Sequence, residues 1–393
     1  MKNKRKVLLC GLLVILMLGL LALAGCGGKT DGKSENALQE GGSSGQGTIK
    51  LGWVAPLTGT GAAYGEQMLN GAKLAAEEIN AAGGINGEKI EIVPQDDKSD
   101  PKEAASIANK FVNDSGILAV VGNYNSSCAL SGAPIYTEAE LPMIHVGTSP
   151  AFTEQNYPYL FRISVTDAFQ GVFVSEWMYE DGYRKAAILY ENDDYGRGLN
   201  DVVTKKFKEL GGEIVASESY MLGETKDYTA LLTKVKSAGA DVLFIGGLYT
   251  EAALIAKQMK QVNLDIPVYG TDGIYENIFI ELGGEAVEGF HVSGLLVPSD
   301  PDPKVQEFVQ KFEKAYGFIP GTYAAYHYDA TKLLAQAIQA VGKDRVKIKE
   351  YLEGLKEPFP GVTGAITFNE THDAMRTGMK RMVVEKGQWT LDK

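Results

Sequence analysis

From residue 48 onward the apolar positions of the chain keep two rhythms in turn. Short runs rich in Val, Ile and Leu alternate with longer stretches whose apolar residues return every three or four positions, the pattern of a parallel sheet covered by helices. The first unit is well marked. A strand is predicted over residues 49–54, a helix over 64–82 with Met68, Ala72, Ala75, Ala76 and Ile79 on one side, and a strand over 90–93, with Gly83 and Gly84 stopping the helix. A helix opened by Pro101 and reaching Val112, a strand over 117–121, a helix opening near Ser126 and a strand over 143–146 continue the series.

A second series repeats the programme. It predicts helices over 169–179, 198–210, 228–238 and 251–262, interleaved with strands over 186–190, 213–219, 242–245 and 267–269. The fold class is therefore α/β, with two doubly wound lobes. Each such lobe places ligands at the carboxyl ends of its strands, so two of these edges facing one another make a cleft. Pro298-Ser-Asp-Pro-Asp-Pro303 is a loop, and helical stretches follow over 304–316 and 323–341. The tail then changes character: 366–369 and 379–385, separated by polar residues, predict a hairpin.

Composition narrows the class. The 393 residues are 45% hydrophobic and 22% charged with 3 Cys, which excludes disordered, collagenous and disulfide-scaffold chains. A net charge of -12 repels phosphate backbones, so no nucleic-acid partner is expected. Lys2, Lys4, Arg5 and Lys6 precede an apolar run over 7–24, the layout of a secretory signal peptide. The run ends in Leu23-Ala24-Gly25-Cys26, which resembles a bacterial lipobox. That resemblance implies a signal peptide over 1–25, cleavage before Cys26 and lipidation of its sulfur, and two or more acyl chains suffice for a stable membrane anchor. An uncleaved transmembrane anchor would have no reason to stop at two small residues and a Cys and then turn polar. Cleavage removes four basic residues and no acid, taking the net charge from -12 to -16. It also leaves Cys128 as the one unmodified thiol, so no internal disulfide can form. Residues 26–47, rich in Gly, Ser and charge, have the composition of a flexible tether.

Catalytic and metal patterns are missing from the sequence. The four His, at positions 145, 291, 327 and 372, have no metal-ligand spacing, and no Gly-x-Ser-x-Gly elbow occurs. Gly59-Thr-Gly61-Ala-Ala-Tyr-Gly65 follows the first strand, but its third Gly comes one residue late for a dinucleotide fingerprint. Asp96-Asp97 and Asp193-Asp194 lack the calcium-loop pattern, and neighbours on a strand point to opposite faces, so these acids are expected as solvated loop or cap residues. No enzyme activity, cofactor or metal is therefore expected.

What remains is a set of polar and aromatic residues at strand ends. Ser126 lies where a strand turns into a helix, a corner of free backbone N–H groups that suits a carboxylate. Gly147, Thr148 and Ser149 follow the next strand in the same way, and Tyr195, Leu248, Tyr249 and Asp272 follow strands of the second series. Each alone is a cap or a turn; their common location makes them a candidate site.

At these residues the chain resembles the branched-chain amino-acid binding proteins of ABC transporters, of the periplasmic-binding-protein family. The resemblance runs from about Ile49 to the C-terminus. It is carried by Pro56-Leu-Thr-Gly59 with Tyr64-Gly65, by Asn70-Gly71-Ala72, by the run from Ile79 to Gly87, by Asp96-Asp97 with Asp100-Pro101, and by Tyr195-Gly196. It implies the type I fold, two Rossmann-like lobes joined by a hinge of crossovers, with an N-terminal lobe of 48–167 and 299–366 and a C-terminal lobe of 168–298 and 367–393. It further implies a ligand carboxylate held at Ser126 and Ser149, and an ammonium held by the Gly147 carbonyl, Ser149 and Asp272. Tyr195 would cover the ligand and Tyr64 would line its side-chain pocket. The chain departs from the family pattern at Leu248, where a tyrosine is usual and Tyr249 stands beside it, and at Asp272, where the acid is often Glu. The implied function is an extracytoplasmic receptor that delivers Leu, Ile or Val to a membrane permease, lipid-anchored to the cell membrane and monomeric. The alternatives are an amide, urea or aromatic-acid receptor of the same fold, or a ligand-sensing surface lipoprotein.

Overall fold

The computed structural model describes residues 47–392 apart from 377; the expected signal peptide, Cys26 and the tether up to residue 46 lie outside the described residues. The first series folds as β1 (Thr48–Ala55), α1 (Ala62–Ala81), β2 (Lys89–Asp96), α2 (Pro101–Asn113), β3 (Ile117–Gly122), α3 (Ser126–Glu138), β4 (Met143–His145), α4 (Ala151–Gln155) and β5 (Leu160–Arg162). These strands form one parallel sheet in the order β2-β1-β3-β4-β5. The central strands are apolar throughout because both of their faces are covered, and all six residues of β3 are buried.

The second series runs α5 (Asp167–Glu180), β6 (Lys185–Glu191), α6 (Asp194–Glu209), β7 (Glu213–Tyr220), α7 (Thr229–Ala238), β8 (Val242–Gly246), α8 (Tyr249–Gln261), β9 (Val268–Gly270), α9 (Asn277–Gly283) and β10 (His291–Gly294). The remaining elements are α10 (Pro303–Tyr316), α11 (Thr322–Val341), α12 (Arg345–Glu353), β11 (Phe359–Gly361), β12 (Gly364–Ile366), β13 (Lys380–Glu385) and β14 (Gln388–Leu391). The second sheet has the order β14-β13-β10-β9-β8-β6-β7. Without its two antiparallel additions it repeats the order of the first, so each sheet reverses direction beside its own first strand, between β1 and β3 and between β6 and β8. Those reversals open the crevices in which doubly wound sheets bind ligands.

The tail departs from the expected hairpin. Residues 366–369 and 379–385 do not pair with one another; β12 pairs with β11, and β13 pairs with β14. Lys386 and Gly387 join β13 to β14 with φ of 54° and 70°, the positive values that a two-residue hairpin turn with right-handed strand twist requires. The sequence reading also passed over β5, β10, α9 and α12, all short.

The chain passes between the sheets after β5, after β10 and after β12. In between, α10 and α11 pack on α1 of the first sheet. Gly71 lets α11 come close: a Cβ there would sit 2.1 Å from the Ala324 carbonyl oxygen.

Where the first and last crossings run side by side, the guanidinium of Arg162 is buried, 1% exposed. Its five N–H groups are all used. Nε and Nη2 bind Asp373 Oδ1 at 2.7 and 2.5 Å, Nη1 donates to the carbonyls of Thr148 and Ser149 at 2.7 and 2.8 Å, and Nη2 also donates to Thr153 Oγ1 at 2.7 Å. Arg162→Met would leave the Asp373 carboxylate buried without its partner, and breaking such a pair costs about 3–5 kcal/mol. Urea unfolding of the two proteins measures this, and a loss below about 1 kcal/mol would mean that the crossings are held by something else.

Candidate functional site

The loops after β3, β4, β6 and β8, together with the first turn of α11, line a small pocket with a cavity volume of about 10 Å³. Tyr124, Asn125 and Ser126 line it after β3, Val146 and Thr148 after β4; Tyr195 and Leu248 line it from the second sheet's loops and Tyr323 from α11.

Ser126 is the first residue of α3 and is 2% exposed. Its expected role as a cap of its own helix is not what the structure shows, since Asn125 holds the cap position and makes no side-chain capping bond. The Ser126 hydroxyl instead accepts the backbone N–H groups of Thr148 and Ser149, at 3.1 and 3.2 Å. A hydroxyl whose two lone pairs are engaged has only its proton left to offer, and the first-turn N–H groups of α3 lie beside it without helical partners. The Ser126 hydroxyl and the start of α3 can therefore donate and not accept, which suits an anion, while the Oδ1 of Asn125 beside them is buried without a partner.

Thr148 is fixed from both sides. Its carbonyl accepts from Arg162 and from the Asp167 amide, the latter at 2.9 Å. Asp167 is fully buried, accepts from Gln170 Nε2 at 2.7 Å, and is pushed up to about 8 chiefly by burial. Ser149 does not line the enclosed pocket: its hydroxyl accepts from the Ala151 amide at 3.3 Å, and the residue borders an outer groove with Asp194 and Gly198. Gly147 lines neither of them, and a Cβ there would come 3.2 Å from Ser126 Cα.

Asp272 follows β9 and is 2% exposed. Tyr323 Oη donates to its Oδ2 at 3.1 Å, while Oδ1 has no hydrogen-bond partner. Burial pushes this carboxyl up to about 6, against the opposing hydrogen bonds from Gln170 and Tyr323. Tyr195 is held by a 2.8 Å hydrogen bond between its hydroxyl and that of Thr271. Leu248 is held through its amide, which donates to Glu191 Oε1 at 2.9 Å.

Tyr64 is not part of the pocket wall. Its ring packs behind the wall against Tyr124, Tyr249 and Tyr323, with centroids 4.7, 4.9 and 5.0 Å away, and its hydroxyl donates to the Gly273 carbonyl at 2.8 Å. Tyr249 likewise turns outward, donating to the Thr60 carbonyl at 2.8 Å beside a second surface groove. Both phenols thus tie a loop of one sheet's lobe to a loop of the other's. Sequence reasoning missed Tyr124, Asn125, Val146 and Tyr323. The first three adjoin residues it named, whereas Tyr323 opens a helix that is remote in sequence.

The paired acids also need correction. Asp97 is not a solvated loop residue but fully buried, accepting from Asn123 Nδ2 at 2.7 Å and from the Ser99 amide at 3.0 Å, and burial pushes it up to about 6. Asp193 does cap its helix, accepting from the Gly196 amide at 2.9 Å. No group of three or more His, Cys, Asp or Glu among the described residues is placed to hold a metal ion, and none of the described helices is long and apolar enough to cross a membrane.

The model of the family described as "Periplasmic binding protein" matches residues 48–388. A Leu/Ile/Val-binding protein homolog 1 of Brucella suis is 38% identical over 355 residues, covering 88% of this chain and 93% of the relative. A Leu/Ile/Val-binding protein homolog 2 of Brucella abortus is 40% identical over 334 residues, covering 83% and 87%. Among solved structures, the branched-chain amino acid transporter substrate binding protein of Streptococcus pneumoniae in complex with isoleucine superposes with a TM-score of 0.81 at 32% identity, covering 87% of this chain and 97% of its own.

Replacing Ser126 by Ala strands two buried amides, and each unsatisfied donor costs about 1–3 kcal/mol. Ser126→Ala should therefore unfold at lower urea concentration than Ser126→Thr, which keeps the acceptor. Equal midpoints would show that the hydroxyl does not organise the corner.

Proposed function

The chain belongs to the periplasmic binding protein family, and on that premise we propose that it is the extracytoplasmic receptor of an ABC importer, closing over a branched-chain amino acid, Leu, Ile or Val, and presenting it to a membrane permease. The observation that carries this reading is the buried carboxyl of Asp272, whose Oδ1 has no partner and whose Oδ2 is held by Tyr323, a residue that lines the pocket together with the donor Ser126. A buried carboxylate oxygen without a partner is costly and is completed by a cation. The Ser126 proton and the free amides at the start of α3 are completed by an anion. One small molecule carrying both charges is a zwitterion, and the apolar wall of Val146 and Leu248 with the ring of Tyr195 suits an aliphatic side chain on it.

The roles follow from the geometry. The α3 N-terminus and the Ser126 proton would hold the carboxylate, with Thr148 alongside, and the Gly147 carbonyl would accept from the ammonium. Asp272 would hold the ammonium and Tyr195 would cover the ligand. The relatives named for Leu, Ile and Val support the choice of side chain. Differential contacts of the ligand with the two lobes drive closure. We read the leader and Leu23-Ala24-Gly25-Cys26 as a cleaved lipoprotein signal, so the receptor is tethered outside the cell membrane through lipid on Cys26 and acts as a monomer. Cys26→Ser should move the protein from the membrane fraction to the soluble one; retention in the membrane would mean another anchor.

Two binding measurements test the ligand. Leu, Ile or Val should raise the melting temperature of protein refolded free of ligand, whereas urea, short amides and benzoate should not; the reverse outcome would discard the zwitterion. The pH dependence has a defined sign. An ammonium favours ionised Asp272, so binding must expel a proton wherever the empty site is protonated. The part of the affinity that depends on Asp272, read as the ratio of wild type to Asp272→Asn at each pH, should be flat above about pH 6 and fall below it, by up to about tenfold per pH unit, given that this carboxyl is pushed up to about 6. In Asp272→Asn the affinity should be lower by about 2–5 kcal/mol, and the contribution that begins at about pH 6 should disappear. Calorimetry from pH 4.5 to 8 measures both.

A further inference from the structure

Away from the pocket, three residues meet across the gap between the lobes. Gln67 is on α1, Gly321 precedes α11, which packs on α1, and Glu276 lies between β9 and α9 of the second sheet. Gln67 uses both ends of its amide. Its Nε2 donates to Glu276 Oε2 at 2.8 Å, and its Oε1 accepts from the Gly321 amide at 2.8 Å. Glu276 is 5% exposed, and its second oxygen, Oε1, has no partner. That oxygen occupies the space over Gly321, where a Cβ would sit 2.3 Å from it. Gly321 has a φ of -86°, which any residue adopts, so its lack of a side chain serves this approach and not the backbone.

We propose that Gln67, Glu276 and Gly321 form an interlobe latch outside the ligand pocket, and that a proton on Glu276 sets how firmly the lobes stay closed. The contact needs both lobes, because Gln67 and Gly321 come from one and Glu276 from the other. The titratable groups that face Glu276 are the phenols of Tyr64 on α1 and Tyr249 on α8, and its neighbour Tyr275. No basic side chain among the described residues pairs with it. One neutral amide donor and one empty lone pair suit a protonated carboxyl better than a carboxylate. Burial accordingly pushes Glu276 up to about 7, with the Gln67 hydrogen bond opposing. In separated lobes the group would be solvated and acidic in the ordinary way, near 4.3. Closure thus takes up a proton. Lower pH should favour the closed form, and pH 8 should loosen it.

The test compares Glu276→Gln and Gly321→Ala with wild type. Gln keeps the hydrogen bond and removes the charge; Ala fills the space that Oε1 occupies when the lobes meet. The leucine affinity of wild type relative to Glu276→Gln should fall by about tenfold or more between pH 5.5 and 8, as expected of a carboxyl that goes from about 4.3 to about 7 on closure. Taking the ratio cancels Asp272 and every other acid the two proteins share. Gly321→Ala should bind more weakly at all pH values with an unchanged melting temperature of the ligand-free protein. A ratio constant with pH would overturn the proposal. Leucine serves only as the probe of closure and rests on the receptor reading, so small-angle scattering of the ligand-free proteins supplies the second measurement. The radius of gyration of wild type should increase from pH 5.5 to 8 while that of Glu276→Gln stays constant. Identical profiles would overturn the latch whether or not leucine binds.

Discussion

The fold and the pocket share one dependence, the satisfaction of a guanidinium inside the protein. Arg162 stands at the end of β5, where the chain leaves the first sheet, and Asp373 stands on the last segment to cross back. An unpaired charge at either position would cost several kcal/mol, so the two crossings can come together only as a pair. The planar fork of the guanidinium then has donors to spare, and two of them reach the carbonyls of Thr148 and Ser149. With their carbonyls held on one side, the amides of the same two residues face the Ser126 hydroxyl on the other. The loop that lines the pocket is thereby fixed by the group that fixes the hinge.

Set against that self-contained pair, the charges of the cleft are left open. Asp167, Asp272 and Glu276 are all buried, and burial raises each of them. Glu191, beneath Leu248, is pushed upward as well, with Asp193 and Glu251 adding to the effect of burial. Stability alone gives no reason to gather acids where no cation meets them. A structural charge brings its partner in the chain, as Arg162 does, whereas a recognition charge waits for a partner from outside. By that criterion Asp272 is a recognition charge, since Oδ1 has no partner and Oδ2 is held by Tyr323, which lines the pocket. Asp167 also has one oxygen, Oδ2, without a partner, but it lies outside the pocket lining and is tied to Gln170 through Oδ1 and to the Thr148 carbonyl through its own amide.

The sequence exposed those features that arise locally. Ser126, Thr148, Tyr195 and Leu248 could be named because each follows an apolar strand directly, and the sheet order then carries all four to the pocket. Tyr323 could not be named, because its place depends on α11 returning across α1 through the contact at Gly71, which no local pattern encodes. The burial of Asp97 was legible in principle. Neighbouring residues at a strand end face opposite ways, and the alternation that denies Asp96 and Asp97 a common ion also requires one of them to face inward. Asp96 takes the outer role, accepting from the Leu57 amide at 2.8 Å. The final hairpin carried its signal in Lys386-Gly387 between two β-rich runs, a stronger cue than the wider spacing from residues 366–369.

The contacts that close the lobes are chemically different from those that face the ligand. Tyr64 donates to the Gly273 carbonyl, Tyr249 donates to the Thr60 carbonyl, and the Asp194 amide donates to Ser127 Oγ at 3.1 Å. Each of these bonds joins a side chain to backbone, so each constrains one residue of a pair and leaves the other free to vary. Of the pocket residues, Tyr124, Val146 and Leu248 take no part in them, whereas Tyr323 at the start of α11 donates to Asp272 Oδ2 after β9 and so joins the lobes as well. Closing strength and the choice of ligand side chain therefore reside on different residues at Leu248 and Tyr249, while Tyr323 serves both. That separation gives a physical reason why Leu248 can stand where a tyrosine is usual without disturbing closure: its side chain faces the pocket, while the neighbouring Tyr249 supplies the bond between the lobes.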